Sequence, residues 1–291
     1  MAELKTIGTL VAWARRSLDH AGVENATQEA VWLLAYALGR QGHCLTSDAE
    51  SPVSDQLWAR AESLVSRRVA REPLQYILGT QEFCGLEFHV NPAVLIPRPE
   101  TELLIQEVVR RCAVNKYATL VDVATGSGCV AITLATILKG LRILALDRFP
   151  EALAVAKNNA ERHAVGDKIE WLEGDLLSPL QEKGMAGAVD VIVSNPPYIA
   201  ETDWAGLQPE VRNYEPSPAL IAGQKGTEFH ERLLHDSREF LVPGGLLVME
   251  IGQGQAAALR QHTEQQGGYS AVRMVHDAAS IERVMIAERI G

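Results

Sequence analysis

The chain has 291 residues, 47% hydrophobic and 22% charged, the balance of an ordinary globular protein long enough for one large or two unequal domains. Its formal net charge of −10 opposes non-specific attraction to phosphate backbones, which argues against free nucleic acid as a partner. Cys44, Cys84, Cys112 and Cys129 are scattered without metal-ligand spacing, and no His-Glu-x-x-His element occurs, so the thiols read as small core residues in a reducing cytosol and no metal is expected.

The start, Met1-Ala2-Glu3-Leu4-Lys5, lacks an apolar signal region, and no segment reaches about 18 uncharged apolar residues, so a cytoplasmic protein with no membrane partner is expected. Residues 1–75 read as a small all-helical domain. Thr27 and Gly39 bracket one helix, and Ser54 is an N-cap for a second in which Trp58, Ala61, Val65 and Val69 recur at helical spacing. Trp13, Trp32 and Trp58 read as core, the alternative being an exposed subset that anchors a partner, and the cluster Arg60, Arg67, Arg68 and Arg71 reads as a solvated helix face. Pro73 closes the module, since a proline disfavours helix at the residue before it.

Residues 76–100 follow as a β-hairpin and a proline-rich linker. Gly85 sits centrally between Glu82 and Val90, with Leu86, Phe88 and Val90 on one face, whereas the prolines at 92, 97 and 99 prevent regular structure. Glu100 and Glu102 either order this linker or are solvated, and the solvated reading is preferred for Glu102. Across 101–291, apolar strands at Leu120 to Ala124, Ile143 to Leu146, Ile169 to Leu172, Val189 to Ser194 and Leu246 to Ile251 alternate with amphipathic segments. That pattern predicts an α/β fold, a parallel sheet with helices on both faces. Ala271 to His276 and Arg283 to Ile290, joined by a short connection, predict a final antiparallel pair.

Four strand ends carry chemistry. Ala124-Thr125-Gly126-Ser127-Gly128 leads from a strand into the helical run Cys129 to Leu138, and its glycines permit a tight turn and close backbone approach to a ligand. Asp147 ends the next strand, nineteen residues past Gly128, where a carboxylate suits a ribose diol. Gly126-x-Gly128-x-x-Ala131 equally satisfies a dinucleotide pattern, so a dehydrogenase stays open at this point. Glu173-Gly174-Asp175-Leu176 then offers a further carboxylate and an apolar contact. Asn195-Pro196-Pro197-Tyr198 follows the fourth strand: two prolines pin φ, Asn195 brings a side-chain oxygen acceptor, and Tyr198 an aromatic face. Such a clamp accepts both hydrogens of a planar amino group.

Together these stretches resemble the release-factor glutamine methyltransferase family, HemK/PrmC. The resemblance runs through Arg71 to Gly79, Val94 to Glu102, Thr125 to Gly128, Ser194 to Ile199, Tyr214-Glu215-Pro216 with Ala219-Leu220, and Glu250-Ile251-Gly252; Pro97 to Glu102 is its most specific part. It implies a seven-stranded Rossmann-like methyltransferase sheet over 101–291, behind a helical substrate-recognition domain. It also implies S-adenosyl-L-methionine as cofactor, leaving as S-adenosyl-L-homocysteine. Ala124 to Gly128 would line the methionine end, Asp147 hold the ribose, Asp175 and Leu176 border the adenine, and Asn195 contact both cofactor and substrate. The implied substrate is the Gly-Gly-Gln glutamine of class 1 peptide chain release factors, gripped by Asn195, Pro196, Pro197 and Tyr198. Catalysis would rest on the Asn195 side chain and the Pro196 carbonyl accepting the amide hydrogens, with Tyr198 packed on the amide plane. The same clamp suits a ribosomal-protein glutamine, or an adenine amine after base flipping, which the charge opposes. Two departures stand out: Ala124 and Ser280 occupy positions where glycine is usual.

Overall fold

The computed structural model describes residues 5–40, 45, 48–112, 118–270 and 272–291. The start of the chain up to Leu4, Cys44, and the expected strand start Ala271 lie outside the described residues. The chain forms two compact units, Met1–Thr80 with Gln208–Tyr214, and Gln81–Leu207 with Glu215–Gly291.

The first unit is helical, with helices Ile7–His20, Ala26–Leu38, Asp55–Val69, Leu74–Leu78 and Pro209–Tyr214. Thr6 opens the first through a reciprocal cap: the Thr9 N–H donates to Thr6 Oγ1 (3.2 Å) and the Thr6 N–H to Thr9 Oγ1 (3.0 Å). Ser54 caps the third by accepting the Leu57 N–H (3.3 Å). The second begins at Ala26, so Thr27 lies inside its first turn, and it ends at left-handed Gly39. Its buried face is Ala30, Leu33, Leu34 and Ala37, which turns Trp32 outward. Trp32 is therefore not core; it is 48% exposed beside Tyr36, one turn further on. Trp13 and Trp58 are half-buried and pack against the helical core with their rings 6.1 Å apart.

Of the arginine cluster, Arg60 and Arg67 are exposed, as a solvated face requires, but Arg68 and Arg71 are drawn into ion pairs with distant carboxylates. Arg68 is buried, and its guanidinium donates to Glu29 (2.5 Å) and Glu210 (2.9 Å). Arg71 donates to the second Glu210 oxygen (2.8 Å) and to the Gly22 carbonyl (2.7 Å). Glu210 lies on the inserted helix, far along the sequence, so no local pattern announces the pairing. Tyr214 adds a hydrogen bond from its hydroxyl to the Ala70 carbonyl (2.7 Å).

β1 (Thr80–Phe83) and β2 (Leu86–His89) make a two-stranded sheet, turning at Cys84 and Gly85 with positive φ at both. The Cys84 N–H donates to Glu102 (2.9 Å), so Glu102 orders the turn instead of being solvated. The linker is likewise tied down: buried Glu215 accepts the Ile96 N–H (3.1 Å) and pairs with Arg98. The main strands are β3 (Thr119–Val123), β4 (Arg142–Asp147), β5 (Ile169–Glu173) and β6 (Val189–Ser194). After a short parallel pair, β7 (Ile199–Ala200) and β8 (Ile221–Gly223), come β9 (Leu241–Glu250), β10 (Arg273–His276) and β11 (Glu282–Glu288).

The seven-stranded sheet has the order β5-β4-β3-β6-β9-β11-β10. Strands β5 to β9 in that order are parallel, and β11 and β10 are antiparallel, as the alternation and the short final connection predict. Val121, Leu144, Ile192 and Leu247 face one core, while Leu120, Ile143, Val191 and Leu246 face the other. Both faces are covered, which is why these strands read as largely apolar runs, broken by Asp122 in β3 and by Asp190 in β6. The chain winds outward through β3, β4 and β5, then returns to place β6 on the other side of β3. The carboxyl ends of β3 and β6 thus flank the switch point, where ligands of such sheets bind. No helix among the described residues is long and apolar enough to cross a membrane.

Candidate functional site

Val123 and Ser194 are register partners, and the Ser194 hydroxyl donates to the Val123 carbonyl (2.8 Å), so Ala124 and Asn195 leave the sheet side by side. Beyond β3 the loop turns through positive φ at Ala124, Gly126 and Gly128. A Cβ on Gly126 would meet nothing within 4 Å, because that face is open. One on Gly128 would stand 2.8 Å from Ile132 Cδ1 and 3.0 Å from Ala156 Cβ, because two helices close on it. The Thr125 N–H donates to the Leu146 carbonyl (3.0 Å), and its hydroxyl to Asp122 (2.6 Å). Asp122 also accepts the Ala131 N–H (3.1 Å) in the first turn of helix Cys129–Ile137. Burial pushes the Asp122 carboxyl up to about 7, against those two donors.

Asp147 ends β4 with both oxygens engaged: Oδ2 accepts the Gly126 N–H (2.8 Å) and Oδ1 the Phe149 N–H (3.0 Å). It clamps the glycine loop to the turn after β4. Burial raises its carboxyl above the usual range, opposed by the backbone N–H groups of Phe149, Gly126 and Arg148. One strand further, the Gly174 N–H donates to the Asp147 carbonyl (3.0 Å), Asp175 pairs with Arg232 (2.6 Å), and Leu176 is buried with φ +49°.

A cavity of about 530 Å³ opens over these strand ends. Of the expected site residues it is lined by Ala124, Gly126, Asp147, Asp175, Leu176, Asn195 and Pro197. Thr125, Ser127, Gly128, Pro196 and Tyr198 are not among its lining residues. The Ser127 carbonyl accepts from Asn159 Nδ2 (2.9 Å). The remaining walls include Val94 and Leu95 of the linker, Phe149, Pro216 and Phe229, none of which the strand-end motifs singled out. Phe149 had a signal, an aromatic residue two past Asp147 at a strand end. Phe229, inside a helix, had none.

The Asn195 carboxamide donates from Nδ2 to the Thr101 hydroxyl (3.0 Å), which itself donates to Glu250 Oε2 (2.6 Å). The Tyr198 hydroxyl donates to the other Glu250 oxygen (3.3 Å). Burial pushes Glu250 up to about 7, opposed by its bonds from Thr101 and Tyr198, and raised further by Glu100. The Tyr198 carbonyl accepts from Gln255 Nε2 (2.8 Å), whose Oε1 takes the Gly252 N–H (2.9 Å). The clamp is thus braced from behind by β9 and the loop after it. Cys84, Cys112 and Cys129 are free thiols outside this cavity, pushed up to about 11, 11 and 12 by burial.

Two family models match: PrmC N-terminal domain over residues 9–79, and Methyltransferase small domain over residues 99–207. The release factor glutamine methyltransferase of Geobacter sulfurreducens is 42% identical over 289 residues, covering 99% of this chain and 98% of that relative. The enzyme of that name from Nitratidesulfovibrio vulgaris is 36% identical, covering 98% and 95%. Among solved structures, the N-terminal domain of human METTL16 in complex with SAH superposes with a TM-score of 0.52 at 18% identity, covering 87% of this chain and 93% of that chain. A methyltransferase from Pyrococcus furiosus gives 0.51 at 18% identity, covering 80% and 98%; both likenesses speak for the fold alone. With relatives matched end to end at this identity, and a methyltransferase sheet whose cavity sits at its switch point, the chain belongs to the release factor glutamine methyltransferase family.

Proposed function

We propose that the protein transfers a methyl group from S-adenosyl-L-methionine to the side-chain amide nitrogen of the glutamine in the Gly-Gly-Gln segment of class 1 peptide chain release factors, in the cytoplasm, modulating translation termination. The observation that carries this reading is the juxtaposition at the switch point. Asn195, tied through Nδ2 and with no hydrogen bond to Oδ1 among the described residues, lines the same cavity as Gly126 and Asp147.

The residues present suit the cofactor. Gly126 leaves open space where a side chain would intrude, Asp147 puts a carboxylate at a ribose-binding position, and Leu176 with Phe149 offers apolar walls for a base. The volume falls within the range of small-molecule sites. When bound, S-adenosyl-L-methionine supplies an electrophilic methyl group on a positively charged sulfur. The protein's task is then positional, because an amide nitrogen is a weak nucleophile. Asn195 Oδ1 and the Pro196 carbonyl accept the two amide hydrogens, and Pro196 and Pro197 keep those acceptors from turning away. Tyr198, held by Glu250 and Gln255, keeps the segment against the sheet. Held in attack geometry, such a pair of reactants can gain roughly 7 to 11 kcal/mol.

The test is incubation of the purified protein with labelled S-adenosyl-L-methionine and a release factor, followed by mass spectrometry of the Gly-Gly-Gln peptide. One added methyl on the glutamine is expected. Label in a ribosomal protein or in nucleic acid, with the release factor unmodified, overturns the substrate assignment.

A further inference from the structure

Asn195 presents a carboxamide, whose two ends differ in what they can do. The oxygen accepts a substrate hydrogen; the NH2, after a half-turn about χ2, would repel it. The shape of the side chain does not decide between them. Its neighbours must.

The chain of partners behind Asn195 decides it. Glu250 is 2% exposed and receives two hydroxyls, Thr101 at Oε2 (2.6 Å) and Tyr198 at Oε1 (3.3 Å). An ionised carboxylate has acceptor sites only. In the neutral acid, a proton on Oε1, opposite the Tyr198 oxygen, still leaves Oε2 as an acceptor. Thr101, also 2% exposed, has a single hydroxyl hydrogen, and Glu250 takes it. What Thr101 has left for Asn195 is a lone pair, so the end of Asn195 that meets it at 3.0 Å is the NH2. The oxygen is thereby the end turned to the cavity.

We propose that Thr101, set by Glu250, is a positioning residue for the methyl transfer: it fixes the carboxamide of Asn195 with Oδ1 toward the substrate. The inference rests on the reading of Asn195 as the amide acceptor given above. Thr101 is buried and its hydroxyl is taken up by Glu250 and Asn195, so it acts through Asn195. It is the first residue of helix Thr101–Cys112, and its N–H donates to the Arg98 carbonyl (3.1 Å), so the hydroxyl is delivered from a fixed backbone.

The experiment compares T101V, which keeps the shape and removes the hydroxyl, with T101S, which keeps the hydroxyl, each in the wild-type and N195A backgrounds. Release-factor methylation gives kcat and KM, and calorimetry gives cofactor affinity. T101V is expected to lower kcat roughly five- to fiftyfold, with cofactor affinity and KM changed less than about threefold, as for the loss of one orienting hydrogen bond. T101S should recover most of the rate. In the N195A background T101V should have no further effect, because the group it orients is gone. An additive loss in that background, a loss shared equally by T101S, or an unchanged kcat in T101V overturns the proposal. If N195A itself turns over at the wild-type rate, the parent reading fails instead, and the two failures are told apart by that single variant.

Discussion

Two glycines in one loop should respond oppositely to the same substitution. Gly128→Ala places a Cβ 2.8 Å from Ile132 Cδ1, 3.0 Å from Ala156 Cβ and 3.3 Å from Ala156 Cα, on a backbone at φ +80°. The Ile132 tip can rotate; the Ala156 atoms cannot retreat without moving their helix. Left-handed backbone costs roughly 1–2 kcal/mol for a residue with a Cβ, and overpacking a core roughly 1–3 kcal/mol more. The sum, about 2–5 kcal/mol, should lower Tm by on the order of 10 °C. Gly126→Ala carries only the backbone part, because its Cβ meets nothing within 4 Å. That Cβ stands where the cofactor is proposed to lie, so its main effect should be on binding. Differential scanning calorimetry and titration with S-adenosyl-L-homocysteine check the pair: G128A melts early, whereas G126A melts within a few degrees of wild type and binds at least tenfold more weakly. Equal Tm losses in the two variants, or tight binding by G126A, would refute the assignment of one glycine to packing and the other to the ligand.

Ala124 and Ser280, the two positions where the family resemblance leads one to expect glycine, both hold positive φ, +58° and +61°. A124G and S280G should each raise stability by about 0.5–1 kcal/mol, the relieved strain less the added freedom of the unfolded chain; a lowered Tm in both counts against the strain. Glu250, raised from 4.5 to about 7, holds its proton in the fold where the unfolded chain releases it. Its contribution is complete below about pH 4.5 and lost as pH rises through 7, roughly 3 kcal/mol in all. The Tm of E250Q relative to wild type should therefore climb between pH 5 and pH 8, and a constant gap would contradict this. Arg68→Met leaves Glu29 and Glu210 facing each other without their buried cation, and should cost about 3–5 kcal/mol. Hydrogen exchange in helix Asp55–Val69 reads that loss, and a change below about 1 kcal/mol would show the network to be dispensable.

The strands of the sheet were legible because both its faces are covered: Val189 to Ser194 coincides with β6, and the other runs are offset by a few residues at their ends. Helix ends were legible where a side chain or a glycine closes the backbone locally, as at Ser54 and Gly39. Trp32 was misjudged because hydrophobicity says what a residue favours and not which way a helix is turned. Glu102, Arg68 and Arg71 depart from the solvated reading because their partners, the Cys84 amide and the Glu29 and Glu210 carboxylates, come from other elements, whereas Arg60 and Arg67 are exposed as expected. Thr101 and Glu250 lay in stretches that carry the family resemblance, yet nothing local assigns either a partner.

The amino-acid order by itself determined the alternation of strands and helices, the stiff Asn-Pro-Pro-Tyr corner, and the acids and glycines at the strand ends. These depend on interactions within a few residues of one another. Only the tertiary structure decided that Ala124 and Asn195 emerge together at the switch point, and that a hydroxyl from residue 101 meets a carboxylate from residue 250 behind them. Hydrogen bonds act over about 3 Å. Which distant residues come within that reach is set by how the sheet is ordered and what packs on it.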